Sequence, residues 1–449
     1  MARDKLTEYD ATAANNTVVG DVNLAENSAL PSDMNNAVRE VMSHLKEFAD
    51  GTNGINVLTL ADDDASASIK FQAPSAVTAT VTFTLPDGDG ADGQALITNG
   101  SGTLAWAYPY GNRNLIINGA MQVAQRGTSS NNINSYGSVD RFNSSKANDD
   151  ELAGTQAQST TAPDGFSNSY KIDCTTAESA VAADEYWRVR HHIEAQNLQQ
   201  LKYGTSGAQS VTLSFYVRSN VTGTYSCALY QEDGDSGSGR IIGSTYTISS
   251  ADTWEYKTIT FAGDTGGTIN NDNGEGLSIL WALMAGSNYT ATDNTSWGTY
   301  AAGKLSYGHA VNMASSTSNE WYITGVQLEV GEQATPFEHR SFGDELARCQ
   351  RYFELIGYAL GRAVSTTQAE VNSAFKVDKR AAPTITLKET SSAIAEFLRA
   401  AANITSLNST YNSQTTHCGN RLTSSDTGMN SGELVSVIKP DSLAADAEL

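Results

Sequence analysis

Cysteine, histidine and proline are scarce in this 449-residue chain, numbering four, six and eight. Cys174, Cys227, Cys349 and Cys418 stand far apart with no CxxC pair, which argues against a zinc site or a dense disulfide framework. Reduced or buried thiols in a protein made in a cytoplasm are the plain reading. The histidines offer no HExxH motif, and on a strand the adjacent His191 and His192 point to opposite faces and cannot share a metal. No GxSxG nucleophile frame or phosphate-binding loop occurs. Positive charge is short as well, with 28 Lys and Arg against 50 Asp and Glu and a net charge of −22. The densest basic cluster is Lys376, Lys379 and Arg380, too thin for the counterion release that drives nucleic-acid binding. No run approaches the ~20 apolar residues of a membrane span. The opening Met1-Ala-Arg-Asp-Lys has no apolar core and does not read as a signal peptide.

Gly, Ser, Thr, Asn and Ala fill the space, with charged residues at 17% and hydrophobic ones at 39%. That is the composition of many short strands joined by tight turns. Residues 1–112 and the middle of the chain each carry a net charge of −10, and residues 341–449 carry −2. The last part could therefore approach an anionic surface with the least repulsion.

One clear helix is expected at 32–50, started by Pro31-Ser32 with Ser32 as N-cap and stopped by Gly51. Met34, Val38, Val41, Leu45 and Phe48 follow the 4-3-4-3 spacing of a heptad seam. Two heptads are too short to stand alone as a coiled coil. The stripe needs two further copies of itself or a docking surface, and the alternative is a single helix packed on its own domain. Residues 53–112 alternate in period two at Ile69–Ala73 and Val77–Leu85, with later segments Gln94–Thr98 and Thr103–Trp106. They hold too few apolar residues for a monomeric core. From 113 to 340 the pattern is an antiparallel sandwich, with Val211–Val217, Tyr225–Tyr230, Trp254–Phe261, Leu277–Leu283 and Trp321–Val330 separated by Gly-, Asn- and Asp-rich turns. A helix at Asp344–Phe353 follows, with Leu346, Cys349 and Phe353 on one face, then short strands at Ala374–Val377 and Pro383–Leu387. The fold class is mainly β, in four parts at 1–52, 53–112, 113–340 and 341–449.

Three segments resemble bacteriophage tail fibres. Phe83–Trp106, with its TLP, DG-GQ and GSGTL elements, resembles a segment of many fibre shafts. Asn114-Leu-Ile-Ile-Asn-Gly to Gly127, with Val139-Asp-Arg-Phe142, resembles the opening of a carbohydrate-binding-module-like jelly roll in such proteins. Val326–Gly331, Ala334–Arg340 and Cys349–Glu354 resemble its last strand and exit helix, and Phe375–Ile385 with Ala445–Leu449 resembles small distal domains. The family implies a homotrimer in the virion tail, fixed by its N-terminal part with the C-terminal end meeting the host, but not which receptor; the partners expected are another virion tail protein through residues 1–52 and a host surface polysaccharide. It implies recognition without turnover, no enzyme activity and no membrane insertion. A tailspike-type depolymerase and a head-decorating or purely structural fibre are the rival readings.

The chemistry searched for is sparse. Asp87–Gly93 lacks the fifth and twelfth oxygens of an EF-hand loop, at Ala91 and Thr98, and reads as a turn. No cofactor is expected. Jelly rolls of this type often hold a structural calcium, with no ligand set legible here. No acidic pair has the frame of a glycosidase. Trp254, Trp281 and Trp321, inside strand patterns, read as core. Trp297, in the loop Asp293–Tyr300, is the better sugar-stacking candidate. The distal loops bearing Tyr411, Asn412, His417 and Asn420 are the other, by their position near the chain's end.

Overall fold

The computed structural model describes residues 17–19, 22–23, 30–49, 57–61, 68–72, 81–90, 94–98, 102–107, 112–148, 151–234, 239–388, 393–397, 400–424, 431–432, 434–437 and 443–449. The chain forms two compact units, Met1–Phe83 and Thr84–Leu449.

In the first unit, β1 (Val18–Val19) and β2 (Val22–Asn23) form a small antiparallel hairpin, followed by α1 (Pro31–Ala49) and the antiparallel pair β3 (Val57–Ala61) and β4 (Ser68–Gln72). Ser32 does not cap α1. Pro31 takes the first helical position, where its missing N–H costs nothing. The Asp33 carboxylate reaches back to accept from the Leu30 N–H at 2.6 Å, the reciprocal half of a capping box. Ala37 and His44, seven residues apart, are buried. Met34, Val38 and Leu45 are 62%, 53% and 49% exposed, and Val41 is half-buried. The apolar seam is the side of the helix that the described residues of this unit leave uncovered. Gly51 and the Phe48 side chain lie outside the description.

The second unit begins with the hairpin of β5 (Ala95–Thr98) and β6 (Leu104–Ala107). The Trp106 indole donates to the Gly88 carbonyl at 2.9 Å and lies so close to Gly90 that a Cβ there would come within 2.5 Å of the ring. The Asp87–Gly90 turn is thus shaped by an aromatic lid. The expected strand at Val77–Leu85 is not found over its described part, residues 81–85, where one bridge joins Thr84 to Thr103.

Twelve strands then build a sandwich: β7 (Ser129–Ser130), β8 (Phe142–Ala147), β9 (Ala153–Ser159), β10 (Ser169–Thr176), β11 (Tyr186–Glu194), β12 (Val211–Ser219), β13 (Gly223–Gln231), β14 (Arg240–Ile248), β15 (Glu255–Phe261), β16 (Glu275–Ala285), β17 (Gly298–Thr299) and β18 (Glu320–Val330). The first sheet has the order β15-β12-β18-β10-β9-β7 and the second β17-β14-β13-β16-β11-β8, all antiparallel. Alternation explains the packing: Val211, Leu213, Phe215 and Val217 of β12 all enter one core with Leu229, Ile279 and Trp281 of the second sheet. Trp281 and Trp321 are fully buried, as their strand positions imply, whereas Trp254 precedes β15 and sits half-exposed, edge-on to Tyr322 at 6.1 Å. Gly325, at φ 61°, makes the bulge where β18 slips register against β12, and a Cβ there would strike Phe166 at 2.7 Å. Strand β16 is buried on both faces. Its outward Leu280 joins Ala228 and Ile241 beneath Leu305, carried by the excursion that leaves β16 through α2 (Ser287–Thr290).

Helix α3 (Phe342–Gln350) is capped by Ser341, whose hydroxyl accepts from the Asp344 N–H at 3.2 Å. It ends earlier than the sequence pattern implies, and Phe353 opens β19 (Phe353–Ile356) instead. The remaining strands are β20 (Ala359–Ala363), β21 (Gln368–Ala374), β22 (Thr384–Leu387), β23 (Ala393–Phe397), β24 (Ala400–Ser413), β25 (His417–Ser424), β26 (Leu434–Val437) and β27 (Leu443–Asp446). Strands β19-β27-β22 form a three-stranded sheet, and β20-β21-β25-β24-β23-β26 close into a small barrel. The expected strand at Ala374–Val377 stops at its first residue, because the Phe375 N–H turns to the Thr416 carbonyl.

Buried charge joins this distal part to the sandwich. Arg141, wholly buried, bonds the Glu448 carboxylate and the His192 carbonyl, and its guanidinium lies 3.5 Å over the Tyr352 ring. Arg126 stacks on Phe353 at 3.7 Å and reaches Asp446 and Glu448, each at 3.2 Å. Replacing Glu448 by Ala leaves Arg141 buried without its carboxylate, and such a loss costs roughly 3–5 kcal/mol. Denaturant unfolding should show that loss, with Glu448→Gln, which keeps an acceptor, intermediate.

Candidate functional site

The outer face of the second sheet carries a grouping of half-buried aromatic and cationic side chains. Along β11, Trp187, Val189, His191 and Ile193 are buried, so the alternate residues Tyr186, Arg188, Arg190 and His192 share the outer face. Two strands away, β13 presents Tyr230 on the same face, opposite Ile241 of β14. The excursion between β16 and β18 adds Tyr289 from α2 and Tyr300 just after β17. Leu305 and its apolar partners seat this excursion on the sheet, so it forms a wall beside the open strip.

The rings are held in pairs. Tyr186 and Tyr289 meet edge to face at 5.0 Å, and Tyr230 and Tyr300 at 5.3 Å. The Arg188 guanidinium lies 4.2 Å over Tyr186, donates to its hydroxyl at 3.2 Å and donates through Nε to Ser145 at 3.2 Å. Arg190 stands two residues on and reaches Glu275 only at 3.8 Å, and its Nε has no hydrogen-bond partner. Burial first, and then the neighbouring Arg190 charge, push the Arg188 guanidinium down to about 10. Tyr230 is raised, by burial and by the Glu232 carboxylate beside it. The strip therefore offers four tyrosine rings with hydroxyl groups and two fixed guanidinium groups. Aromatic faces accept apolar C–H surfaces, and the N–H and O–H groups bond hydroxyls and carboxylates.

Below it, His192 Nδ1 lies 2.7 Å from Glu275 and 2.9 Å from the Ser278 hydroxyl. Burial lowers His192, against the opposing pull of the Glu275 carboxylate. Burial alone would raise Glu275, but hydrogen bonds from His192 and Ser278 outweigh it and pull the carboxyl down to about 2. Serine and carboxylate meet the same ring nitrogen, and Ser278 is fully buried. Among the described residues no three His, Cys, Asp or Glu converge as a metal site, and no helix is long and apolar enough to cross a membrane.

The residues singled out in the sequence lie elsewhere. Trp297 is half-buried against the sandwich core. Its indole N–H donates to the Ala262 carbonyl at 2.6 Å, and its ring meets Tyr203 edge-on at 5.7 Å. These contacts anchor the wall. Tyr411 and Asn412 lie near the end of β24, and His417 and Asn420 lie in β25, with Asn412 paired to Gly419. They belong to a strand pair, where loops at the far tip were expected. Asn420 is fully buried and accepts from the Thr410 hydroxyl at 3.0 Å. Their connecting turn is at the base of the barrel. The Thr415 carbonyl accepts from the Lys379 N–H at 2.7 Å, and Lys379 Nζ is buried against Glu354 and the Gln350 carbonyl of α3. The opposite rim carries the 364–367 turn, beside which the Gly432 N–H donates to Ala363. The strip on β11 had one sequence signal, the alternation in Tyr186-Trp-Arg-Val-Arg-His-His-Ile193. Tyr289 and Tyr300 had none, because a loop gives no period.

No family model matches the chain and no curated protein matches it. Solved structures similar to it include tailspike protein 4 of bacteriophage CBA120, in its enzymatically active domain, at 11% identity and TM-score 0.27, covering 49% of this chain and 22% of that one. The C-terminal family 22 carbohydrate-binding module of Clostridium thermocellum Xyn10B is similar at 13% identity and TM-score 0.27, over 51% of this chain and all of that one. The family 11 carbohydrate-binding module of the Clostridium thermocellum cellulase Lic26A-Cel5E is similar at 12% identity and TM-score 0.24, over 46% and 96%.

Proposed function

We propose that this chain is a structural fibre subunit of a bacteriophage tail that recognises a host-surface glycan without turnover, as a homotrimer. The observation that carries the recognition half is the strip on β11 and β13, where paired tyrosines and two arginines stand on a rigid sheet beside a wall. The tail-fibre half rests on the order of the three resembling segments, at 83–106, 114–142 and 326–354. Recognition here sits on the sandwich, whereas the low charge of 341–449 had pointed to the distal part. Weak sites repeated on three chains and several fibres would gain affinity by multivalency. Attachment to the virion falls to residues 1–52.

Self-association is supported by two uncovered apolar features, each within its own unit. One is the seam Met34, Val38 and Leu45, spaced as in a parallel coiled coil of like helices. The other is on the barrel exterior, where Tyr358, Leu360 and Leu434 are 68%, 67% and 66% exposed. Leu360 and Leu434 lie diagonally on one face of the β20–β26 pair, opposite Ser436 and Arg362. Symmetric oligomers bury such patches against their own copies.

Sedimentation of the purified chain at micromolar concentration should give a trimer, and Val38→Glu with Leu45→Glu should shift it toward smaller species. A wild-type monomer with full β-sheet circular dichroism would remove the trimeric reading. Binding to host polysaccharide should weaken roughly three- to tenfold on replacing Tyr230 or Tyr300 by Ala, the range expected from losing one aromatic contact. His417→Ala should leave it unchanged. Release of fragments from that polysaccharide would favour the depolymerase instead.

A further inference from the structure

Resting on the glycan reading of the same strip, we infer that the sugar bound between β11 and the tyrosine wall is acidic, with its carboxylate held by Arg188 and Arg190. On the outer face of the first sheet, Lys171 meets Asp173 at 2.9 Å and Glu320 at 2.7 Å, and Arg218 meets Asp252 at 2.8 Å. Arg240 is held by Asp264 at 2.6 Å, and Arg351 by Glu194 at 2.7 Å. In a chain of net charge −22, carboxylates are plentiful, and a partly buried guanidinium ordinarily finds one.

Arg188 does not. Its hydrogen-bond partners are two neutral hydroxyls, of Ser145 and Tyr186, and it has no carboxylate partner among the described residues. The residue two along on the same face is another arginine, so like charges stand together on one side of one strand. Arg190 has a single long contact to Glu275, and that carboxylate is already engaged by His192 and Ser278. The Arg190 Nε is buried and unbonded. Two half-buried guanidinium groups that repel each other, with an unused donor and no free carboxylate beside them among the described residues, raise the energy of the empty site. An anion relieves both the repulsion and the unmet hydrogen bond.

The guanidinium plane matches a carboxylate with two parallel N–H bonds, which a lysine could not supply. The surrounding rings of Tyr186, Tyr289 and Tyr300 specify more than a bare anion. Tyr186 already lies under the Arg188 guanidinium at 4.2 Å, and ring faces suit the C–H surface of a pyranose. A uronic or similarly carboxylated sugar within a surface polysaccharide combines both features.

The test prints bacterial surface polysaccharides on an array, each in its native form and after reduction of its carboxyl groups to alcohols, and probes it with the full-length chain. Binding should go to carboxylated polymers and be lost on reduction. Arg188→Gln should weaken it on the order of 30-fold or more, as removal of one partner of a desolvated charge pair does. In the unliganded protein the same variant should unfold at the same temperature as wild type or higher, because a repulsion is removed, whereas a purely structural arginine would lower it. Binding that survives carboxyl reduction and Arg188→Gln overturns the acidic-sugar assignment and leaves the glycan reading standing. If no polysaccharide binds in either form, both fall. If inorganic phosphate protects the chain from heat as well as glucuronate does at equal concentration, the site takes an anion without a sugar, and the assignment falls.

Discussion

A β-strand turns its successive side chains to opposite sides, and most of the second unit follows from that constraint. On β11 it sends Trp187, Val189 and Ile193 inward and leaves Tyr186, Arg188 and Arg190 outside. One nine-residue segment therefore supplies part of the core and the floor of the proposed binding strip. The coupling is strict, since a slip of one residue against β16 would bury two arginines and expose a tryptophan. The packing that stabilises the sandwich and the chemistry available to a ligand are two sides of one register.

The wall beside the strip has a different origin. Strand β16 is apolar on both faces, and its outward Leu280 needs cover. The excursion through α2 provides it with Leu305, and Trp297 pins the same excursion to Ala262. Burial of a hydrophobic patch thus positions Tyr289 and Tyr300 next to Arg188. Trp297 acts here through packing, and its contact with the core leaves the tyrosines as the faces open to a ligand.

Buried arginines govern the other end of the unit. Arg126 and Arg141 of the sandwich share the carboxylates of Asp446 and Glu448, and each lies over an aromatic ring from the segment that follows α3. A buried ion pair gains little over well-packed apolar groups, but breaking one is expensive, so it favours a single docking geometry. The last strand, β27, returns from the barrel to pair with β19 and β22. The chain therefore ends at the base of the barrel, beside the sandwich. The turn joining β24 to β25, with His417, lies at that base too, which is why a position late in the sequence did not mean a position at the tip.

Local sequence determined the mainly β class, the strands with clean alternation such as β12 and β15, the helix seam of Met34, Val38 and Leu45, and the core places of Trp281 and Trp321. Each of these depends on spacing within a few residues, and spacing is written in the chain. Tertiary structure alone decided the rest. Asn420 looks like a solvated loop residue, yet it is buried because β21 and β24 flank its strand. Helix α3 stops before Phe353 because that residue is taken by β19 and the Arg126 stack. Tyr186, Arg188, Tyr230, Tyr289 and Tyr300 come from two strands, a short helix and a loop spread over more than a hundred residues. Their meeting depends on sheet order, and sheet order is set by the burial of whole faces, which no window of the sequence contains.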